Sequence, residues 1–317
     1  MSYAIEVKNL SKSFYTRSKQ SFFAGVFNPK YKEKKAVNKL SFTIKEGERV
    51  AFIGPNGAGK STTLKMLTSI LHPTSGKAKV FGMIPWEDRE MLAYNIGAVF
   101  GQRSQLWQHL SPMKSFELLA AVYDISDSVF KKRLDNLIKT FDIAELMDKP
   151  VRTFSLGERM RCEIVASLLH NPKILFLDEP TIGLDVVAKA KIRETLKEMN
   201  QREGTTIILT SHDAGDIEDV CNRAIIINHG KIVIDESIAK LKANYLSRKV
   251  IIATTARGKV TKYEIDTREQ PLQKALGDII KKENPVDLTI EDPSMEEIIK
   301  DIYCKPDTVS CSKKTRK

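Results

Sequence analysis

The sequence lacks the long apolar segment that a membrane-spanning helix requires. No stretch of the chain approaches about 20 uninterrupted apolar residues. The N-terminal residues MSYAIEVK also lack the apolar block of a secretory signal peptide. These absences predict a chain that folds and stays in the cytosol.

Cysteine is scarce, with 4 in 317 residues, and internal repeats are absent. The cysteines form no Cys-x-x-Cys pair of the kind that binds zinc or carries out redox chemistry. We expect reduced thiols at all of these positions, which are Cys162, Cys221, Cys304 and Cys311.

Positive charge is in excess, because 51 Lys and Arg oppose 40 Asp and Glu and leave a net charge of +11. This excess suits an anionic membrane surface, a nucleic acid or nucleotide phosphates, and charge alone does not choose among them. Part of it is local, and solvated loops are the simplest interpretation. The basic residues crowd a predicted loop over residues 16–35 (Lys30, Lys32, Lys34, Lys35) and the C-terminus (Lys313, Lys314, Arg316, Lys317).

Short apolar segments alternate with amphipathic helices through most of the chain. Strand patterns at residues 4–8 and 40–44 flank the basic, aromatic-bearing loop. Further strands are predicted at residues 50–53, 96–100, 174–178, 206–210 and 224–228. Apolar residues recur at helical spacing between them, as at Met160, Ile164 and Leu168. This alternation predicts an α/β fold with a mainly parallel, helix-covered sheet.

The character of the sequence changes after Glu236. Strand patterns at residues 250–255, 259–266 and 286–290 are interleaved with helices, which predicts a small ββαβα domain. The last helix should begin near Ser294, because Ser294 and Glu297 have the spacing of a capping box. We therefore expect a large domain over residues 1–236, a small α+β domain over 237–303, and a basic disordered tail over 304–317.

A complete phosphate-binding loop follows the strand at 50–53. Glycines in such a loop let backbone N–H groups wrap phosphates, Lys60 reaches the β- and γ-phosphates, and the Ser61 hydroxyl ligates Mg²⁺. A helix pattern begins directly after it, as the mechanism requires. The residues predicted to hold the nucleotide here are Gly54, Pro55, Asn56, Gly57, Ala58, Gly59, Lys60, Ser61 and Thr62.

Two carboxylates end the apolar strand at residues 174–178. Asp178 is placed to hold Mg²⁺, and Glu179 to orient or deprotonate a water. A strand that ends in Asp-Glu is a modest signal alone. Beside a phosphate loop it gains weight, because the carboxyl ends of parallel strands meet at one edge of the sheet.

Together these motifs resemble the nucleotide-binding subunit of an ABC transporter, over residues from about 5 to 236. The segment FSLGE at 154–158 resembles the family signature Leu-Ser-Gly-Gly-Gln, and Ser155 and Gly157 fit its phosphate-contacting positions. Leu156 and Glu158 depart from that pattern, so altered contacts with ATP are expected there. The resemblance implies a P-loop ATPase cassette with N-terminal antiparallel strands and a helical subdomain at about 104–170.

The resemblance also assigns roles to single residues. Gln102 matches the glutamine that senses Mg²⁺ or water, although Gly101 replaces the commoner preceding proline. His212 resembles the switch histidine at the γ-phosphate, and Asp185 lies in the loop that couples two sites. Phe14 resembles the aromatic that stacks on adenine, with packing in the core as the alternative for Phe14 or the adjacent Tyr15.

The family resemblance implies a peripheral ATPase on the cytoplasmic face of the membrane. It would act as a homodimer, or as a heterodimer with a paralogue, and drive separate transmembrane permease subunits with ATP and Mg²⁺. The segments at 100–107, 154–161 and 287–297 look like a bacterial branch that serves multidrug or antibiotic exporters. Export is the favoured direction, and an importer ATPase is the alternative.

The sequence gives less support to functions of this superfamily other than transport. Translation factors of this superfamily carry two cassettes in one chain, whereas this sequence has one phosphate loop and one signature. Chromosome-organising relatives insert a long heptad coiled coil between these two motifs, and no sustained heptads occur here. A nucleic-acid partner is therefore not expected despite the charge of +11.

Overall fold

The first two strands form a long antiparallel hairpin. In the computed structural model, which describes residues 2–17, 31–101, 104–245, 247–256 and 258–304, β1 spans Tyr3–Arg17 and β2 spans Tyr31–Lys45. Ile5 is paired with Ile44 near the base of the hairpin, and Phe14 with Lys34 farther out. A third strand, β4 (Ser75–Val80), pairs with β1, which gives the antiparallel order β2-β1-β4.

The predicted loop over residues 16–35 is wrong at both of its ends. Residues 16–17 and 31–35 are paired strand, and residues 18–30 lie outside the described part of the chain. The sequence signal failed because this outer part of the hairpin is exposed, so it has no buried apolar face to produce an alternating pattern. The alternation at 4–8 and 40–44 comes from the inner part, which is buried.

A six-stranded sheet lies at the centre of the N-terminal part, in the order β5-β6-β7-β3-β8-β9. Parallel pairing joins β5 to β6, β6 to β7, and β3 to both β7 and β8. The mainly parallel sheet predicted from the alternation is confirmed. Its strands are β3 (Arg49–Ile53), β5 (Ile96–Phe100), β6 (Ile174–Asp178), β7 (Thr206–Thr210), β8 (Arg223–Asn228) and β9 (Lys231–Ser237).

Helices follow most of these strands. The stripe of Met160, Ile164 and Leu168 is buried, as its spacing predicts. The helices are α1 (Lys60–Leu67), α2 (Arg89–Ala93), α3 (Pro112–Val122), α4 (Asp127–Phe141), α5 (Leu156–Leu168), α6 (Val186–Glu203) and α7 (Ala214–Val220). Short 3₁₀ turns at Ala144–Leu146 and Val151–Thr153 connect α4 to α5.

Helix ends in this part are set by polar caps. The side chain of Ser111 accepts the Lys114 N–H at the start of α3, and Asp185 accepts the Ala188 N–H at the start of α6. Helix α6 ends at Gly204, whose φ of 70° lies in the left-handed region that favours glycine. Such caps fix where each loop leaves its helix, and two of the loops concerned carry residues of the predicted site.

The chain divides into two compact units, Met1–Asp235 and Glu236–Lys317. The second contains α8 (Ile238–Tyr245), β10 (Arg248–Thr255), β11 (Val260–Asp266), α9 (Leu272–Glu283), β12 (Pro285–Glu291) and α10 (Met295–Cys304). Its strands form a sheet in the order β11-β10-β12. The capping box before α10 is present, with the Ser294 N–H donating to Glu297 and the Glu297 N–H donating to the Ser294 hydroxyl.

Of the tail predicted at 304–317, residue 304 ends α10 and the rest lies outside the described residues. Among the helices that are described, none has the length and apolar character needed to cross a membrane. Cys162 and Cys221 are buried and carry free thiols.

Candidate functional site

The phosphate-binding loop lies between β3 and α1, at the carboxyl edge of the six-stranded sheet. The N-cap of α1 is Gly59, with a φ of 107°. A Cβ at Gly59 would lie 2.5 Å from the Ala36 carbonyl oxygen, and one at Gly54 would lie 2.7 Å from the Ile227 carbonyl oxygen. Both glycines are therefore required by the close approach of neighbouring backbone, from the first hairpin and from β8.

Lys60 is buried at the first position of α1 and is held in two directions. Its Nζ donates to the Gly54 carbonyl and lies 3.1 Å from Nε2 of His212. Burial lowers the pKa of Lys60, and the nearby carboxylates of Glu179 and Asp178 oppose that shift. The lysine is thus a desolvated cation near two carboxylates.

Asp178 and Glu179 stand at the end of β6, as the sequence predicts. The hydroxyl of Thr210 donates to Oδ1 of Asp178 at 2.6 Å. The Glu179 N–H donates to the Thr210 carbonyl at 3.0 Å and to its hydroxyl at 3.1 Å. Glu179 has a φ of 56°, which is unusual for a residue with a side chain. Thr210, on the neighbouring strand, therefore fixes the carboxylate of Asp178 and the backbone of Glu179.

His212 follows β7 and brings the predicted catalytic groups together. Its Nε2 lies 3.1 Å from Oε1 of Glu179 as well as 3.1 Å from Nζ of Lys60. The lysine comes from the first turn of α1, and the histidine and the glutamate come from two loops, all at the carboxyl edge of the sheet, where ligands of α/β proteins bind.

The oxygen donors at this edge suit a hard divalent cation. Ser61 is half-buried in the first turn of α1, and the Asp178 carboxylate lies near Lys60. A hydroxyl and a carboxylate are ligands that Mg²⁺ accepts beside nucleotide phosphates. The third predicted ligand, Gln102, lies outside the described residues. Gly101, which precedes it, donates its N–H to the Asp178 carbonyl at 3.3 Å.

The signature segment begins α5 with a capping box. The Glu158 N–H donates to the Ser155 hydroxyl at 3.2 Å, and the Ser155 N–H donates to the Glu158 carboxylate at 2.8 Å. Hydrogen bonding to Ser155, chiefly from its backbone N–H, lowers the pKa of Glu158. Glu158 therefore serves as a cap in its ionised form, and Ser155 remains exposed at the helix N-terminus.

The signature segment packs on the loop that carries Asp185. A Cβ at Gly183, where φ is 71°, would lie 2.8 Å from a methyl carbon of Leu156. A Cβ at Gly157 would lie 3.3 Å from the Ala188 Cβ. The leucine that departs from the family pattern therefore covers Gly183 and joins two predicted loops within one chain.

Phe14 lies on the outer part of the first hairpin and is not in the core. Its side chain is 39% exposed, and that of Tyr15 is 63% exposed. The ammonium group of Lys12 lies 5.5 Å from the centre of the Phe14 ring. The core-packing alternative for these two aromatics is therefore wrong, because both residues are partly exposed.

Sequence reasoning missed an ionic cluster beside His212. Asp213 accepts from Lys189 at 2.6 Å and from Arg193 at 2.7 Å. Asp216 is buried and accepts from Arg193 at 2.7 Å. The i, i+4 spacing of Lys189 and Arg193 on α6 was a weak signal, because such pairs usually lie on a solvated helix face.

Comparisons with known proteins support the family resemblance described above. Residues 37–182 match the family described as "ABC transporter". The ATP-binding protein NatA of Bacillus subtilis is 33% identical over 207 residues, which are 65% of this chain and 84% of NatA. The daunorubicin resistance ATP-binding protein DrrA3 of Streptomyces coeruleorubidus is 31% identical over 214 residues, covering 68% of this chain and 67% of the relative.

Solved structures of similar proteins have the same fold as the N-terminal part of this chain. The dimeric ATP-binding cassette MJ0796 with bound ADP and Pi superimposes with a TM-score of 0.63 at 26% identity, over 74% of this chain and 98% of that one. The protein cbiO1 of Clostridium perfringens, part of the transporter complex cbiONQ, gives a TM-score of 0.63 at 28% identity. The match covers 77% of this chain and 92% of that one.

Proposed function

The chain belongs to the ATP-binding subunits of ABC transporters, and from that premise we propose that it hydrolyses Mg·ATP at a dimer interface to drive export through a separate permease. Membership makes it an ATPase. The observation that carries the detailed proposal is the convergence of Lys60, Glu179 and His212 beside the phosphate-binding loop, with Nε2 of His212 within 3.1 Å of both partners.

The residues that bind the nucleotide and the metal ion each have a chemical role in the proposed site. Lys60 and the backbone N–H groups of the loop bind the β- and γ-phosphates. The negative charge of the phosphates then balances the positive charge of the buried ammonium group. Ser61 and Asp178, with Gln102, hold Mg²⁺, which neutralises phosphate charge when it is bound. Phe14, which is partly exposed, stacks on the adenine ring.

Hydrolysis needs a water aligned with the γ-phosphorus. Glu179 orients that water and accepts its proton as the oxygen–phosphorus bond forms and the bond to ADP breaks. Glu179 lies at the carboxyl edge of the sheet, beside the phosphate-binding loop. Two hydrogen bonds from its N–H to Thr210 fix its backbone there. His212 donates to a γ-phosphate oxygen and releases Lys60 to the phosphates.

The proposed active unit is a head-to-tail dimer with two ATP molecules. The phosphate loop of one subunit and the Ser155–Gly157 segment of the other enclose each nucleotide. Support comes from an exposed apolar patch beside the signature segment. In this patch Ile182 is 55% exposed, Val186 82% and Val187 79%. Apolar residues that are so exposed in one chain are typical of a surface covered by a partner.

Mixing two inactive variants tests the composite site. Lys60→Ala and Ser155→Arg homodimers each carry two damaged sites, whereas a mixed dimer places both lesions in one site and leaves the other intact. We expect ATPase activity to appear on mixing. If Ser155→Arg homodimers hydrolyse ATP at the wild-type rate, and ATP leaves the chain monomeric even with its permease present, the composite site is wrong.

Export and the membrane location rest on the relatives. DrrA3 and the daunorubicin/doxorubicin protein DrrA of Streptomyces peucetius are named for drug resistance, and DrrA is 30% identical over 214 residues. We expect the chain to co-purify from membranes with permease subunits and without a substrate-binding protein. Recovery of a substrate-binding protein in the same complex would favour the importer alternative.

A further inference from the structure

Arg193 links the helix behind the Asp185 loop to the segment that carries His212. It lies on α6, and its side chain is only 16% exposed. Its Nε donates to Oδ1 of Asp216, and its Nη2 donates to Oδ1 of Asp213, both at 2.7 Å. The guanidinium therefore bridges two carboxylates that follow His212 in the chain, with the planar, two-pronged geometry that lysine cannot provide.

The same carboxylates hold the segment on both sides of His212. Asp216 accepts from the Ser211 hydroxyl at 2.6 Å and also from the Thr181 hydroxyl. The Asp213 N–H donates to the Ser211 hydroxyl at 2.9 Å. His212 thus lies between Ser211, which donates to Asp216, and Asp213, which accepts from Arg193.

Gly215 provides a second and independent observation. A Cβ built at Gly215 would lie 2.3 Å from Nη1 of Arg193 and 2.7 Å from its Cζ. The backbone at Gly215 is not in the left-handed region, so its conformation does not demand glycine. The guanidinium of Arg193 occupies the space that a Cβ at position 215 would fill, so a side chain there would have to displace the guanidinium from Asp213 and Asp216.

One end of this linkage is the helix that follows the Asp185 loop, which is part of the proposed dimer interface. Helix α6 begins at Asp185, whose carboxylate caps it by accepting the Ala188 N–H at 2.9 Å. Lys189, one turn before Arg193, donates to Asp213 at 2.6 Å and adds a second tie between α6 and the histidine segment. A shift of the Asp185 loop that moves α6 would therefore carry the backbone of His212 with it.

We propose that Arg193, seated on Gly215, is a positioning residue that sets the place of His212 and makes it follow the Asp185 loop. The inference rests on the proposed role of His212 and concerns how that role is regulated. Displacing a catalytic group by about 1 Å can cost about 100-fold in rate. Displacement of Arg193 should lower kcat. ATP should still bind to the phosphate loop, because Arg193 does not touch that loop.

Gly215→Ala is the sharpest test, because alanine is the better helix former and should not weaken α7 itself. We expect kcat for ATP hydrolysis to fall at least about tenfold, with the Kd for ATP within about threefold of wild type. Arg193→Ala should act in the same way. The double variant should be no worse than Arg193→Ala alone, because the methyl group then displaces nothing.

Gly277→Ala is the matched control. Gly277 lies within α9, and a Cβ there would meet no heavy atom within 4 Å, so kcat should be unchanged. A wild-type kcat for Gly215→Ala, or losses that add up in the double variant, would overturn the proposal. If Gly215→Ala fails to fold, Arg193→Lys is judged by the same split between kcat and Kd.

His212→Ala separates this inference from the proposed function. If His212→Ala loses activity and Gly215→Ala does not, the positioning role fails and the site stands. If His212→Ala keeps the wild-type kcat, the role of the histidine fails, and with it the reason to position it.

Discussion

Nε2 of His212 lies 3.1 Å from Nζ of Lys60, so an imidazole nitrogen and a buried ammonium group face each other. The same nitrogen is 3.1 Å from the Glu179 carboxylate. It accepts from Lys60 when it carries no hydrogen and donates to Glu179 when it does, so it serves one partner at a time. Phosphate oxygens that bind Lys60 would therefore release His212 from the lysine.

Glu179→Gln should separate binding from chemistry. The amide cannot accept a proton from water, so we expect hydrolysis to fall at least about 100-fold. The Kd for ATP should stay within about threefold, because Lys60 and Ser61 are unchanged. Glu198→Gln, at an exposed position of α6, is the control and should hydrolyse ATP normally. Undiminished turnover in Glu179→Gln would remove Glu179 from the mechanism.

Lys60→Met should bind ATP poorly and yet be more stable than wild type without nucleotide. Burial lowers the pKa of Lys60 in the folded state, so the protonated lysine opposes folding at neutral pH. That opposition is complete below the lowered pKa and disappears as the pH rises toward the ordinary value of 10.5. Methionine keeps the apolar stem without the charge.

Thermal unfolding at several pH values checks this prediction. The gap in Tm between Lys60→Met and wild type should be largest near neutral pH and should shrink as the pH approaches 10.5. Added Mg·ATP should raise the Tm of the wild type and leave that of Lys60→Met almost unchanged. A variant that is less stable than wild type at every pH would contradict the role of desolvation.

Glu158→Gln should weaken the cap of α5 and strengthen the ATP-bound dimer. The pKa of Glu158 is lowered in the folded state, chiefly by the Ser155 N–H, so its carboxylate stabilises the fold above the ordinary value of 4.5. That stabilisation is lost as the pH falls through the folded pKa. The difference in free energy of unfolding between wild type and Glu158→Gln should be about 1 kcal/mol or less at pH 7 and smaller at pH 4.

The effect on the dimer has the opposite sign, since the substitution removes a negative charge beside the proposed γ-phosphate. In sedimentation experiments with ATP and the hydrolysis-deficient Glu179→Gln background, Glu158→Gln should lower the Kd of the dimer. Glu145→Gln removes an exposed charge elsewhere in the same region and should leave it unchanged. An unaltered dimer Kd in Glu158→Gln would place this carboxylate away from the nucleotide.

Truncation after Ser237 should leave a folded unit that binds ATP. The first compact unit ends at Asp235, and the residues proposed for chemistry lie before it. Truncation after Tyr245 should give a less soluble protein, because it keeps α8 but removes α10, to which Tyr245 is bonded through Asp301 at 3.0 Å. Nucleotide binding measured for both fragments decides the matter, and its loss in both would make the second unit integral to the first.

We further propose that the second unit adjusts the stability of the dimer. The hypothesis predicts that the fragment ending at Ser237 keeps the wild-type Kd for ATP but has a changed Kd for ATP-dependent dimerisation. An identical dimerisation constant in the fragment and the full chain would refute it.

Much of the sheet and the phosphate loop could be predicted because their signals are local. Strand β6 is an unbroken run of buried apolar residues that ends in carboxylates, so its position and its chemistry are both visible in the sequence. The outer part of the first hairpin was missed because its pairing, such as Thr16 with Lys32, depends on main-chain hydrogen bonds between exposed residues. The contact of Arg193 with Asp216 was missed because it joins two residues that lie 23 positions apart on different helices.

Glu179 adopts a φ of 56°, a backbone conformation that glycine accepts freely and that costs other residues about 1 kcal/mol. Folding alone would thus favour glycine at this position. A descendant of this chain that no longer needed to turn over ATP would be relieved of this strain if glycine replaced the glutamate. Under the proposed role of Glu179, the persistence of glutamate at position 179 in a lineage would therefore reflect selection for hydrolysis that offsets this strain.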